Sequence, residues 1–178
     1  SADCSPLLAI TSAEKRSGKS TLRRVVGAVV PRPLQTANVS PAALYRVIEK
    51  YKPALLMDEG DTWLIQKRGE SESMAALRGI INAGHYRDDC YVLRCEGESR
   101  DVTPFSVWCP KTVALIGVLP ETIADRSIEV RLKRRLPREK VERFDRKAAA
   151  NLRPLQRMAF GWAKNCNGTL LNTEPKVP

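Results

Sequence analysis

The sequence predicts an α/β fold in which helices flank a mainly parallel sheet. Apolar runs about six residues long, at 6–11, 53–58 and 112–117, lack the alternation of a half-exposed strand and read as strands covered on both faces. Segments with apolar residues at helical spacing alternate with these runs. Cap and breaker residues stand at the junctions.

Taken in order, the run ending at Thr11 leads into the loop "SAEKRSGKST", after which Leu22, Val25, Val26 and Val29 recur at helical spacing until Pro31 stops them. A short extended piece follows at "LQTAN". Ser40 as N-cap and Pro41 at the first helical position open a helix with Leu44, Val47, Ile48 and Tyr51 on one face. Lys52-Pro53 ends it, and "ALLMDE" is the next buried strand. After Asp61 a short helical stretch and a polar loop precede a helix from about Glu72, with Met74, Leu77 and Ile81 inward and Gly84 as its stop. Cys90 to Trp108 holds two β-rich runs around a Gly-Glu-Ser-Arg turn, an inserted hairpin closed by Pro110. "TVALIG" is a buried strand, "LPETIAD" a short helix and "SIEVRL" the last strand. From Pro137 the pattern reads as helical, broken at Pro154, with a loose tail "NTEPKVP". Residues 1–136 are thus expected as a core and 137–178 as a basic helical extension, part of an incomplete lid or connector.

The net charge is +10, and residues 131–157 carry eleven basic and three acidic residues, so that segment holds +8 of it. Such a concentration attracts polyanions, chiefly nucleic acid. The alternative is a solvated helical face. Five scattered cysteines without a CxxC pair indicate neither a disulfide framework nor a zinc site, which points to a reducing cytoplasm. No apolar run approaches the length of a membrane span, and none resembles a signal peptide.

The loop after the first strand has the composition of a phosphate cradle. Such a cradle needs converging backbone amides, a helix N-terminus behind them, a lysine for the β- and γ-phosphates and a hydroxyl for magnesium. Residues Ala13, Glu14, Lys15, Arg16, Ser17, Gly18, Lys19, Ser20 and Thr21 supply it, with Lys19 on the phosphates and Ser20 on Mg2+. Ala13 stands where a glycine is usual, and Lys15 and Arg16 add charge where amides normally suffice. The fold class sharpens accordingly to a P-loop NTPase core. A second half-site is expected at the end of "ALLMDE", with Asp58 for the metal and Glu59 to polarise an attacking water. Asp-Glu in that order favours hydrolysis of ATP over transfer to a small acceptor. Arg126, after a short helix and before a strand, is placed as ring-forming ATPases place the arginine that reaches a neighbour's γ-phosphate; the alternative is a surface ion pair with Asp125 or Glu129.

The stretches "LAITSAEKRSGKSTLRRV", "TANVSPAALYRVIEKYKPALLMDEGDTWL", "LRGIINAGHYRD" and "FSVWCPKTVALIGVLPETIADRSIEVRLKRR" together resemble a P-loop ATPase domain of unknown function, often joined to primase-polymerase modules in prophages, plasmids and integrative elements. The resemblance spans roughly residues 7 to 135. It departs from the expected pattern in the basic loop and in Gly60, where alanine is common. It implies an architecture similar to superfamily 3 and AAA+ motors, a homo-oligomeric ring, a hexamer, and a DNA partner, single-stranded or forked. It also implies an excised core, with any lid arginine beyond Pro178 and Arg153 or Arg157 as weak substitutes. In such motors a hairpin enters the ring's channel, which would bring Arg94 and Arg100 to phosphates.

His85, the only histidine, suits a capping role or coupling between nucleotide and DNA sites. Trp63, Trp108 and Trp162 are expected in the core or an interface, since no aromatic array with interleaved basic residues suggests a base-stacking platform. The expected function is Mg-dependent ATP hydrolysis driving a DNA helicase or translocase in mobile-element replication. Two alternatives stand beside it, a nucleotide-switched regulatory or loader-type ATPase and a phosphotransferase.

Overall fold

The computed structural model describes residues 3–65, 69–96 and 101–171. Its elements run β1 (Leu7–Ser12), α1 (Lys19–Val29), β2 (Pro33–Thr36), α2 (Pro41–Tyr51), β3 (Ala54–Met57), a 3-10 turn (Gly60–Thr62), α3 (Glu72–Ala83), β4 (Tyr91–Glu96), β5 (Asp101–Ser106), β6 (Lys111–Ile116), α4 (Glu121–Ala124), β7 (Ser127–Leu132), α5 (Arg146–Asn151) and α6 (Arg153–Leu171). Five strands form one parallel sheet in the order β2-β3-β6-β1-β7, and β4 pairs with β5 as a separate antiparallel hairpin.

The sheet explains the unbroken apolar runs. β1, β3 and β6 are interior strands covered on both sides, so both side-chain sets must be apolar or small. Edge strands read differently: β2 alternates exposed and half-buried residues and begins with Pro33, and Ile128 on β7 stays exposed. Leu55, Met57, Val113 and Leu115 pack with Leu44, Tyr45 and Ile48 of α2 and Leu77, Ile80 and Ile81 of α3. Leu56 points the other way, toward α1. A Cβ added at Gly27 would stand 2.9 Å from Leu56 Cδ1, so this glycine lets α1 approach the sheet closely. Outside α1 lie α5 and α6: Gln156 Nε2 donates to the Val30 carbonyl (2.8 Å), and the Arg24 guanidinium lies over the Phe144 ring.

Ser40 caps α2 through a bond from the Ala43 amide, with Pro41 in the first turn, as expected. The inward aromatic of that helix is Tyr45, packed against Phe105 with ring centroids 4.6 Å apart and tilted by 52°, whereas Tyr51 is exposed. Helix periodicity alone placed Tyr51 inward, but the hairpin packs on the preceding turns. Gly84 does end α3, but at φ −79 rather than left-handed. Its reason is close approach, because a Cβ there would meet the Val107 carbonyl at 2.3 Å.

The helical expectation from Pro137 is corrected. Regular helix begins only at Arg146, because a local turn captures the preceding chain. The Glu139 carboxylate accepts from the Leu136 amide (2.8 Å) while its own amide donates to the Leu136 carbonyl (3.0 Å). Asp145 then caps α5. The break expected at Pro154 is present: α5 ends at Asn151 and α6 begins at Arg153, with Pro154 in its first turn, where its missing N–H would be unsatisfied anyway. The tail "NTEPKVP" lies outside the described residues. No helix among the described residues is long and apolar enough to cross a membrane.

Candidate functional site

In a parallel sheet all strands end at one edge, and here that edge gathers the loop after β1 and the carboxylates after β3. β1 ends at Ser12, residues 13–18 turn outward, and Gly18 caps α1 in the left-handed conformation (φ 89). No side chain caps α1 and no acid lies in its first turn, so its first amides and positive dipole end face outward unopposed. The Lys19 ammonium folds back into the loop, donating to Ser12 Oγ (2.5 Å) and the Glu14 carbonyl (3.3 Å). Ser12 Oγ donates to the same carbonyl (2.7 Å), as does Ser17 Oγ (3.2 Å). The loop is thus a closed ring around one carbonyl with a lysine at its centre. Lys15, Arg16, Ser20 and Thr21 are exposed around it.

The missing glycine has a structural answer. The described residues with positive φ that are not glycine include Arg16 (φ 62) but not Ala13. Ala13 therefore occupies a conformation open to any residue, and the left-handed position falls three residues later.

Asp58 and Glu59 follow β3 on the same edge, and their surroundings differ. Asp58 Oδ2 pairs with Arg23 of α1 at 3.1 Å, both side chains being largely buried, and Asp58 Oδ1 accepts from the Glu59 amide (3.1 Å). Arg23 also donates to the Leu56 carbonyl (3.2 Å). Glu59 is exposed and left-handed (φ 54), an unfavourable conformation for a residue with a Cβ, and no described residue pairs with its carboxylate. The chain is held there by Gly60, where an added Cβ would stand 2.5 Å from Val113 Cγ1. Alanine, the residue expected at this position, does not fit so close to β6. Glu59 borders a cleft of about 620 Å³ whose walls include Asn38, Ser40, Trp63, Ser73 and Met74.

Arg23 and Asp61 were missed by sequence reasoning. Arg23 carried a usable signal, since it lies three residues beyond Ser20 and shares its helix face. Asp61 Oδ1 accepts from the Ile116 amide (3.2 Å), placing a carboxylate at the end of β6, where the sequence offers only Gly117. No periodicity announces that contact.

Magnesium fits this edge in a limited way. Ser20 offers an exposed hydroxyl and Asp58 a carboxylate, while no group of three Asp, Glu, His or Cys among the described residues could hold a metal unaided. That donor set suits a cation carried in on phosphates rather than a protein cage.

Arg126 lies at the opposite edge, before β7, where its carbonyl accepts from the Leu7 amide. It is exposed and forms no ion pair among the described residues; Glu129 instead binds Thr11 Oγ1 (2.7 Å) and Arg131. Thr11 is the main cause that holds the Glu129 carboxyl below its ordinary range. The same edge holds His85 and Lys111 around a void with room for one water. Burial lowers the His85 pKa, with the Arg126 charge adding to it. Lys111 is almost fully buried, donates to the carbonyls of Gly84 (2.6 Å) and Cys109 (2.9 Å), and is lowered by that burial; the Cys109 thiol is pushed up to about 11 for the same reason.

The hairpin forms between Tyr91 and Ser106 as expected and packs on α2, with the Ser106 amide donating to Glu49 (2.6 Å). Arg94 lies over the Tyr45 ring at 5.4 Å, and Arg100 lies outside the described residues. Trp63 is buried and Trp108 half-buried, but Trp162 is exposed on α6, so it joins no core here.

No protein-family model matches the chain, and a search of curated proteins returns no match.

Proposed function

We propose that the chain is a Mg-dependent ATPase core whose hydrolysis drives a DNA helicase or translocase, acting as a ring. One juxtaposition carries this reading: a lysine-centred loop at an uncapped helix start shares a sheet edge with Asp58 and with Glu59, whose carboxylate no described residue pairs. The amides of residues 14–19 and Lys19 hold the triphosphate, with Lys19 exchanging its loop partners for phosphate oxygens. Ser20 and Asp58 would hold magnesium, which neutralises charge on the β- and γ-phosphates when bound. Arg23 keeps Asp58 oriented. Glu59 accepts the proton of the attacking water, and no cationic side chain among the described residues pairs with its carboxylate. Arg126 faces away from its own loop, so it serves a neighbouring copy's γ-phosphate.

The test has three arms. Glu59→Gln should bind ATP and turn it over far more slowly, and unchanged turnover would remove Glu59 from the role. Mixing Arg126→Ala with Lys19→Ala chains should restore activity; no recovery at any ratio counts against the trans arginine. Stimulation of ATP turnover by single-stranded DNA separates a motor from the second reading, a nucleotide-switched regulatory or loader-type ATPase. That reading is favoured by Arg94, which engages Tyr45 instead of projecting from the hairpin.

A further inference from the structure

We propose that the void between the C-terminal end of α3 and the start of β6 binds one halide ion, chloride in ordinary buffers, held by Lys111, His85, Arg126 and the Asn82 amide. It lies at the sheet edge away from the loop after β1, so it stands apart from the reading of residues 13–21 as a phosphate loop.

Lys111 opens β6, yet its side chain is drawn under α3 instead of reaching water. The residue is 4 % exposed, and its ammonium donates to the carbonyls of Gly84 (2.6 Å) and Cys109 (2.9 Å). Gly84 permits this approach, because an added Cβ would stand 2.7 Å from Lys111 Nζ. An ammonium has three donors, and the third has no acceptor among the described residues. The carbonyl end of α3 offsets part of the charge, at most about half an elementary charge. The void itself adds more positive charge: His85 and Arg126 line it, and no carboxylate among the described residues does. Desolvation lowers the pKa of both Lys111 and His85, with the Arg126 charge adding to the His85 shift, as expected of cations gathered without an anion.

Asn82 is a second, independent sign of a ligand. Its Oδ1 is buried with no hydrogen-bond partner, and the other end of the amide has none among the described residues. The two ends of an amide have the same shape, so Asn82 turns its N–H groups toward an anion without losing a bond. Leu7, Ile81 and Ile123 close the void with apolar surface, which strengthens the charge interactions inside it. Size selects the ion. The void measures about 10 Å³, room for one particle the size of a water molecule and too little for phosphate, sulfate or a carboxylate. Water brings only a dipole to this cluster, whereas a halide accepts from every donor at once and cancels one unit of charge. Arg126, the exposed member of the lining, adjusts to an ion slightly larger than water.

Thermal unfolding of the full chain tests this, with sodium gluconate replaced stepwise by sodium chloride at constant ionic strength. Wild-type Tm should climb with chloride, by about 3–6 °C at a tenfold excess over the Kd, and bromide should act alike. Lys111→Met removes the buried donor and should abolish the response. Arg126→Gln changes an exposed side chain, so it folds even if Lys111→Met does not, and it should weaken chloride about two- to fivefold. In crystals grown with sodium bromide, anomalous scattering should place the ion within hydrogen-bond reach of Lys111 Nζ. Equal Tm in chloride and gluconate overturns the proposal. A chloride response of wild-type size in both variants overturns it too, because a general salt effect needs no site. An ordered water in the void with no bromide signal assigns it to solvent and has the same consequence. ATP binding enters none of these readouts, so a negative result here leaves the phosphate loop standing.

Discussion

Arg23 is the side chain whose removal should say most about the site, because it ties α1 to the tip of β3 through Asp58. Its side chain is 12 % exposed and that of Asp58 20 %, so Arg23→Met strands a carboxylate that is largely shielded from water. Breaking a fully buried pair costs about 3–5 kcal/mol. Asp58 stands at a strand end and can take up water, which places the expected loss near the lower bound, at about 3 kcal/mol including the bond to the Leu56 carbonyl. For a chain of this size that lowers Tm by about 6–12 °C. Urea unfolding of Arg23→Met, Asp58→Asn and the double variant gives the coupling directly. The double variant should be less destabilised than the sum of the singles by about 1–3 kcal/mol. Additivity within about 0.3 kcal/mol would refute the ion pair as the device that positions Asp58.

Gly60→Ala should destabilise the fold by about 1–3 kcal/mol through overpacking against Val113, read by thermal unfolding; wild-type stability would mean that the backbone does not approach β6 so closely. The lowered pKa of Glu129 contributes stability that is present above the ordinary glutamate value and is lost as pH falls through the folded one. The stability gap between wild type and Glu129→Gln should therefore close as the medium is acidified below about pH 4, and a gap independent of pH would contradict it. Lys111 is lowered in the fold, so the unfolded chain binds more protons between the folded value and about 10.4, and wild-type stability should rise with pH there. Lys111→Met should lack that slope in unfolding curves collected toward alkaline pH.

Much of the fold was legible because it depends on local pattern. Ser40-Pro41 opened α2 as written, and the unbroken apolar run at 54–57 announced a strand covered twice. The errors share a cause. Tyr51 and Tyr45 are both aromatic positions on one helix, and only the docking of Phe105 from a distant hairpin selects Tyr45. The stretch after Pro137 has helical spacing, yet the Glu139 carboxylate closes a turn that competes with it. At the site, the loop and the Asp58-Glu59 pair were visible as residue types, whereas Arg23 and Asp61 act through contacts across the sheet.

By itself the sequence determined the succession of strands and helices, and with it the edge on which loop and carboxylates must meet, because every parallel strand ends on the same side. Tertiary structure alone decided the strand order, which puts the arginines after β7 beside the loop. It also decided that Arg16 rather than residue 13 takes the left-handed turn, and that Asp58 is held by Arg23 while no described residue pairs with Glu59. Such outcomes depend on which surfaces approach through space, and side-chain spacing along the chain carries no record of that.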